Sequence, residues 1–141
     1  MEESEKENLY LTFKGAFASI IEDKLKNPKR VKLINNFQIR FNLGLQIEED
    51  YYFWLNVVAK NGKYTIERGK LEEYDLVVLV DPVDLLYWLN GEYSTIHMTT
   101  KKNKFGKMKF RFGKGNTGKR NTRLLLKLPK VLVLDKIKPE K

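Results

Sequence analysis

The fold is decided by the stretch FQIRFNLGLQIE at residues 37–48, in which apolar residues alternate with polar residues or glycine. Strict period-two alternation of this length predicts a long β-strand with one buried face. Residues 51–60 predict a second strand, which is apolar on both faces. The dipeptide Asn61-Gly62 predicts a tight hairpin, because both of its turn positions need a positive φ. Residues 63–68 are therefore expected to pair back as a third strand.

Helices and a further strand are predicted on either side of this meander. Apolar residues recur every three or four positions over Leu9–Leu25, which predicts an amphipathic helix that ends at Asn27-Pro28. A short helical turn is expected at residues 31–35. After the meander, the apolar run at residues 76–80 predicts a buried strand. The helix Asp81–Asn90 is expected directly after it, because Asp and Pro are favoured at the first positions of a helix.

The last third of the chain predicts two more helices and a fifth strand. A helix is expected at residues 94–101, and residues 107–112 alternate as a strand with their apolar side chains facing inward. A glycine-rich loop at residues 113–118 leads into a helix at 119–128, which Pro129 is expected to end. Short connections between these elements predict an α+β fold, with helices packed on one face of a mostly antiparallel sheet.

Composition limits the classes of protein that this sequence can form. The chain has 141 residues, of which 42% are apolar, so a single domain spanning residues 1–141 is expected. It has no cysteine and one histidine, His97, which excludes disulfides, thiolate chemistry and zinc–thiolate sites. No apolar run is long enough for a spanning helix. Residues 1–8 and 135–141 are expected to be flexible. No secretory or peroxisomal signal is recognised, so a cytoplasmic location is expected.

The charge is distributed unevenly along the chain. Residues 1–100 carry 12 Lys and Arg against 16 Asp and Glu, whereas residues 101–141 carry 15 against 2. This split concentrates positive potential on the C-terminal part of the sequence. It is consistent with a solvated lysine-rich surface, or with attraction to a polyanion such as an anionic membrane or a nucleic acid.

Most of the sequence from Phe37 to Leu128 resembles the sterol carrier protein type-two domain family. The resemblance rests on four segments, taken in order: the strand Phe53-Trp54-Leu55-Asn56-Val57, which runs through Asn61-Gly62 to Gly69; the strand Asp75–Val80, followed by the helix to Gly91; the segment Phe105-Gly106-Lys107-Met108-Lys109-Phe110; and the loop and helix Gly113–Leu128. Each motif is a hydrophobic pattern with glycines, and their order and spacing carry more weight than any one of them.

The resemblance implies a five-stranded sheet with about five helices on one face, enclosing an apolar tunnel. It also implies lipid binding and transfer, with no catalytic residues, no cofactor and no metal. Among the elements that would enclose the tunnel, the helix at residues 85–89 is apolar almost all round, so it is either plain core or a cavity wall. The residues expected to line the tunnel are Leu85, Trp88, Leu89, Met108, Phe110, Phe112, Leu124, Leu125 and Leu128. The residues expected to bind an anion or lipid headgroup are Lys114, Lys119, Arg120 and Arg123.

Three other motifs suggest chemistry and are less well supported. Residues 113–118 read G-x-G-x-x-G, with Asp135 further on, but a dinucleotide fold needs parallel strands that this pattern does not predict. The same loop reads G-x-x-x-x-G-K, but Arg120 stands where a magnesium-binding Ser or Thr is required. The lone histidine, His97, has no catalytic partner that the sequence reveals.

A nucleic-acid-binding domain that uses the basic residues 101–130 is the main alternative function. Phe110 and Phe112 alternate with Lys109 and Arg111, as in a strand that stacks bases and binds phosphates. Alternation, however, places the aromatic and the basic side chains on opposite faces of a strand. The expected partners are therefore a lipid ligand and an anionic membrane surface, without specific nucleic acid.

Overall fold

Five strands form one mixed sheet, which the computed structural model describes together with five helices within residues 1–118 and 121–135. The elements, in chain order, are α1 (Glu3–Leu25), α2 (Pro28–Asn36), β1 (Ile39–Glu48), β2 (Tyr51–Lys60), β3 (Lys63–Arg68), β4 (Leu76–Val80), α3 (Pro82–Leu89), α4 (Thr95–Thr100), β5 (Arg111–Lys114) and α5 (Asn121–Leu132). The strand order is β3-β2-β1-β4-β5. Neighbouring strands are antiparallel except β1 and β4. The predicted α+β class is confirmed.

The core face of the sheet follows the alternation that the sequence shows. In β1, the side chains of Phe41, Leu43 and Leu45 are almost fully buried. Their partners across the ladders, such as Leu55 in β2 and Val78 in β4, are buried on the same face. Helices α1, α3 and α5 supply the other half of this hydrophobic core. No helix in the described part of the chain is long and apolar enough to cross a membrane.

The opposite face of the sheet is covered by a loop rather than by a helix. The connection at residues 69–75 crosses from the β3 edge to β4 over β2 and β1. Asn42 donates to the carbonyl of Leu71 and accepts from its N–H, at 3.2 and 2.7 Å. Asn56 donates to the carbonyl of Gly69 at 3.0 Å. These two polar residues of the alternating strands are therefore buried, because the loop that they bind lies over them.

The hairpin, α3 and α4 begin where the sequence predicts them, whereas α2 begins at Pro28, before the helical turn expected at residues 31–35. The side chains of Asn27, Asp81 and Ser94 each accept a hydrogen bond from a backbone N–H in the first turn of the helix that follows. Asn61 and Gly62 have φ values of 54° and 81°, as the tight hairpin requires. These local signals were correct because each one satisfies the backbone within a few residues.

The first helix begins earlier than expected. Residues 1–8 were expected to be flexible, but α1 already starts at Glu3. The carboxylates of Glu3 and Glu7 lie 2.6 and 3.2 Å from the guanidinium of Arg68 in β3. Acidic side chains in a first turn also favour the helix dipole. Ion pairs with β3, which is distant in the sequence, therefore stabilise the first turns of α1, although their sequence alone does not predict a helix.

The fifth strand is shorter than predicted and begins later. Residues 107–112 were expected to form it, but β5 runs from Arg111 to Lys114. The preceding segment folds around Asn103, whose side-chain oxygen accepts hydrogen bonds from the N–H groups of Phe105 and Lys107. Met108, expected to face inward, is 40% exposed as a result.

The last helix continues past the proline that was expected to end it. Pro129 lies inside α5, which reaches Leu132. Proline lacks an N–H and leaves one carbonyl of the preceding turn without its helical partner. The turn that follows offsets this cost, because Val131 and Leu132 are buried in the core and the N–H of Val133 donates to the carbonyl of Pro129.

Candidate functional site

An apolar pocket lies between the core face of the sheet and the helices that cover it. Its lining is apolar except for one threonine. The lining residues come from the sheet and from the helices that cover it. The lining residues are Phe17, Phe41, Leu43, Val78, Leu85, Trp88, Thr95, Phe110, Phe112, Leu125, Leu128, Pro129 and Leu132. We call this site the apolar pocket.

Three aromatic rings form one wall of the apolar pocket. The rings of Trp88 and Phe110 meet edge to face at a centroid distance of 4.8 Å, and Phe110 lies 5.4 Å from Phe112. The indole N–H of Trp88 donates to the hydroxyl of Thr95 at 3.0 Å. The Thr95 hydroxyl is therefore engaged as an acceptor, and apart from this hydroxyl the lining offers a ligand contact with hydrocarbon.

The free space in the apolar pocket is small. It amounts to about 30 Å³, which is about the share of one water molecule in the liquid. Sites for small molecules enclose about 300 Å³ or more. The open tunnel that the family resemblance implied is not seen in this conformation. Side chains fill the interior, and a ligand could enter only by displacing some of them.

Six of the nine residues expected to line a tunnel are brought together at the pocket. They are Leu85, Trp88, Phe110, Phe112, Leu125 and Leu128. The other three lie elsewhere: Leu89 is buried outside the lining, Leu124 is half-buried, and Met108 is exposed. Met108 is displaced because β5 begins after it.

Sequence reasoning missed the other lining residues for an identifiable reason. Phe17 belongs to the stripe of α1, and Phe41, Leu43 and Val78 belong to the inward face of β1 and β4. Their periodicity marks them as core residues but does not tell which of them border free space. Leu132 was missed because the helix was expected to end at Pro129.

The residues expected to bind an anion are only partly described. Lys114 in β5 and Arg123 in α5 are both exposed, whereas Lys119 and Arg120 lie outside the described residues. In the neighbouring glycine-rich loop, residues 113–118, the structure explains why position 115 is a glycine. A Cβ on Gly115 would collide with the carbonyl oxygen of Tyr74. Glycine is thus needed for close backbone packing.

Side chains of the same loop form hydrogen bonds with the residues that precede β4. Asn116 accepts from the N–H of Tyr74 at 2.9 Å and donates to the carbonyl of Glu72. Thr117 donates to the Asp75 carboxylate at 2.6 Å. Because β4 and β5 are antiparallel, the sequence G-x-G-x-x-G does not stand here between parallel strands as in a dinucleotide fold.

The basic residues that alternate with phenylalanine, Lys109 and Arg111, bind other side chains of the protein. The ammonium of Lys109 lies 2.8 Å from the Asp84 carboxylate, and both side chains are largely buried. The guanidinium of Arg111 donates to Gln46 and to the Tyr52 hydroxyl, both at 2.8 Å. Neither cation projects freely into solvent, which weakens the comparison with a nucleic-acid-stacking strand.

The candidate catalytic histidine, His97, packs against an aromatic ring. His97 packs on the ring of Tyr93 at a centroid distance of 4.2 Å. Its buried Nε2 atom has no hydrogen-bond partner within the described residues. Across those residues, no group of three or more histidine and acidic side chains is placed to hold a metal ion.

The segment that follows α5 is held by an ion pair with a buried lysine. Lys24 at the end of α1 is fully buried, and its ammonium lies 3.1 Å from the carboxylate of Asp135. Arg30 lies 3.4 Å from the same carboxylate. Burial lowers the pKa of Lys24, while the contact with Asp135 acts in the opposite direction. The N–H of Leu134 also donates to the carbonyl of Leu89, so the helix that covers the pocket is anchored at this end.

Comparison with known proteins supports the fold. No protein-family model matches the sequence, and no curated protein matches it. Among solved structures, the chain matches the solution structure of sterol carrier protein domain 2 of Helicoverpa armigera. The TM-score is 0.55 at 15% sequence identity, over 86% of this chain and 89% of the other. The chain therefore has a sterol carrier protein domain 2-like fold, as its sequence motifs indicated.

Proposed function

We propose that the protein binds a lipid in the apolar pocket and transfers it between membranes without changing it chemically. The observation that carries this proposal is the lining of the pocket between sheet and helices, which is hydrocarbon apart from the Trp88–Thr95 hydrogen-bonded pair. The fold is shared with a domain named as a sterol carrier protein, and a carrier of this kind needs no catalytic group, cofactor or metal.

The hydrophobic effect supplies enough free energy for this role. Each methylene moved from water into an apolar site contributes about 0.8 kcal/mol. Ten methylenes would give about 8 kcal/mol before ordering costs, which corresponds to micromolar affinity. Part of that free energy must displace side chains from the filled pocket.

A basic surface that docks on anionic membrane is the second part of the proposal. Lys114 and Arg123 are exposed, and Leu126 in α5 is 70% exposed between further basic residues. An apolar side chain flanked by cations suits insertion among anionic headgroups. Lys119 and Arg120 belong to the same basic stretch of sequence. We expect the protein to act in the cytoplasm, where such membrane surfaces are negatively charged.

The lipid-binding proposal is tested by filling the pocket. Leu125 lines the pocket, whereas Leu126, the next residue of α5, points outward. We expect the wild type to bind a fluorescent fatty acid, Leu125→Trp to weaken binding by about tenfold or more, and Leu126→Trp to bind like the wild type. Circular dichroism checks that all three proteins fold. Wild-type protein that binds no fatty acid, sterol or isoprenoid would contradict the proposal.

Nucleic acid binding through residues 101–130, the alternative function, is tested on the same wild-type protein with oligonucleotides. A lipid carrier should bind single-stranded oligonucleotides weakly at physiological salt and without sequence preference. Tight binding of an oligonucleotide by a protein that ignores lipids would favour the alternative function. The internal pairing of Lys109 and Arg111 gives no support to that alternative.

A further inference from the structure

A second cavity opens on the other side of the same core, between α1 and the edge strand β3. Its free volume is about 210 Å³, several times that of the apolar pocket. The lining residues are Lys14, Phe17, Ala18, Ile21, Val57, Tyr64, Thr65, Ile66, Glu67 and Leu132. We call this cavity the α1–β3 groove. Nothing in the sequence patterns predicted it, because it lies where a helix fails to cover an edge strand completely.

The floor of the α1–β3 groove belongs to the hydrophobic core. Five apolar lining residues are each 7% exposed or less, namely Phe17, Ile21, Val57, Ile66 and Leu132. The polar lining residues come from α1 and β3, and Lys14, Thr65 and Glu67 are exposed. The groove is thus a deep apolar trough with a polar rim, which is the arrangement that an amphipathic ligand requires.

Two side chains separate the groove from the apolar pocket. Phe17 and Leu132 are the residues that line both cavities. Phe17 is anchored on α1, whereas Leu132 is in the last turn of α5. A rotamer change of Phe17 or Leu132 would join the two spaces into one continuous apolar channel while the anchored end of α5 stays in place.

We propose that the α1–β3 groove is the second chamber of the lipid site, and that the ligand is a single flexible aliphatic chain rather than a rigid sterol. This inference rests on the proposed lipid-binding function. A flexible chain can pass the constriction between Phe17 and Leu132 one methylene at a time. A fused ring system would have to displace both side chains together with their packing against β1 and β2.

The polar end of the ligand belongs at the rim of the groove. The apolar pocket offers only the Thr95 hydroxyl, which already accepts the indole N–H of Trp88. At the rim, Lys14 makes no ion pair within the described residues, while Glu67 interacts with the Tyr10 hydroxyl. The ammonium of Lys14 lies 5.5 Å from the centre of the Tyr10 ring, a contact that leaves its N–H donors for a carboxylate, so a long-chain fatty acid fits with its tail towards Trp88.

The test fills the groove without touching the pocket. Ala18 lines only the groove and Ser19, the next residue of α1, lines neither cavity; both are exposed. We expect Ala18→Trp to weaken binding of palmitic acid by about tenfold or more, which corresponds to excluding about two methylenes. Octanoic acid should be weakened at least as much, because a short chain whose carboxylate lies at Lys14 occupies mainly the groove. Ser19→Trp should bind both acids like the wild type.

A second pair of measurements identifies the ligand class. Cholesterol should bind the wild type more weakly than palmitic acid does. Hexadecanol has the same chain without the carboxylate and should also bind more weakly, and Lys14→Gln should remove that difference. If Ala18→Trp does not fold, Thr65→Trp fills the groove from the exposed edge strand instead.

The outcomes separate this inference from the function on which it rests. If Leu125→Trp weakens palmitic acid binding but Ala18→Trp binds like Ser19→Trp, the protein is a lipid carrier without a second chamber, and the inference is wrong. Cholesterol that binds as tightly as palmitic acid would overturn the choice of an aliphatic chain. Wild type that binds neither lipid would refute the proposed function itself and the inference with it.

Discussion

The side chain of Trp88 connects three parts of the pocket wall. Its indole N–H binds Thr95 at the start of α4, and its ring meets Phe110 just before β5. An aromatic side chain of this size brings a large apolar surface with one polar group that needs a partner. Because Thr95 supplies that partner, Trp88 can be buried at 4% exposure without leaving a donor aimed into the pocket.

A single tyrosine gives the protein a measurable response to alkaline pH. The hydroxyl of Tyr64 in β3 donates to the carbonyl of Ile34 at 2.8 Å, and burial raises the pKa of Tyr64 from 10.0 to about 12. Between these pH values the folded state keeps a proton that the unfolded state has released. Stability therefore falls as the pH rises from about 10 to about 12.

Tyr64→Phe tests this assignment. The variant should lose about 1 kcal/mol of unfolding free energy at neutral pH, because the hydrogen bond to Ile34 is removed. Urea denaturation over a series of pH values should show that the wild type loses this advantage above pH 10. Parallel declines of the two proteins would show that Tyr64 does not titrate differently in the folded state.

At the scale of elements, the crossover loop at residues 69–75 depends on the polar residues beneath it. Asn42→Ala removes two hydrogen bonds to the backbone of Leu71 and leaves buried backbone groups without partners. We expect a loss of about 2 kcal/mol in the free energy of unfolding. Asn56→Ala removes one bond and should cost about half as much. Urea denaturation measures both variants. If neither variant lost free energy of unfolding, this account of the loop would be contradicted.

Helix α5 is held by Asp135 in the segment that follows it, and this anchor is also testable. Asp135→Asn leaves the buried ammonium of Lys24 without its counter-charge and should cost about 2–3 kcal/mol of unfolding free energy. The double variant with Lys24→Met should recover most of that loss, because no unpaired charge then remains buried. Arg30→Gln, at a partly exposed contact, should cost less than about 1 kcal/mol. A double variant as unstable as Asp135→Asn alone would contradict the anchoring role of the ion pair.

The elements show which parts of the fold a sequence reveals. The alternation at residues 37–48, the hairpin turn and the caps at Asp81 and Ser94 were predicted correctly, because each is a short-range pattern with a short-range cause. The end of α5 and the start of β5 were wrong, since long-range burial of Leu132 and the turn around Asn103 override the local signals of Pro129 and Met108. The pocket lining was only partly found for the same reason: free space depends on how distant elements meet.

At the scale of the whole molecule, the uneven charge predicts where the protein meets a membrane. Replacing both Lys114 and Arg123 by Gln should weaken binding to anionic vesicles by about thirtyfold, since each cation near such a surface contributes about 1 kcal/mol. Replacing Lys60 and Lys63 by Gln makes the same change of charge at the exposed β2–β3 hairpin and should have little effect. Vesicle co-sedimentation measures both variants, and equal effects would show that binding is not confined to the proposed surface.

Two neighbouring cavities in the described part of the chain meet at two side chains, Phe17 and Leu132. The apolar pocket is nearly filled, and the α1–β3 groove holds most of the free space next to it. Lipid binding therefore requires rearrangement of lining side chains such as Phe17 and Leu132. The free energy of transferring an aliphatic chain from water can supply this cost, since it grows with every methylene buried.

The most direct test of the account locates a bound lipid among the side chains of the core. In nuclear magnetic resonance spectra of the protein with isotope-labelled palmitic acid, we predict nuclear Overhauser effects between the chain methylenes and the rings of Trp88 and Phe110. Overhauser effects confined to exposed residues, or palmitic acid that remains free in solution while the core signals are unchanged, would contradict a lipid site between the sheet and its helices.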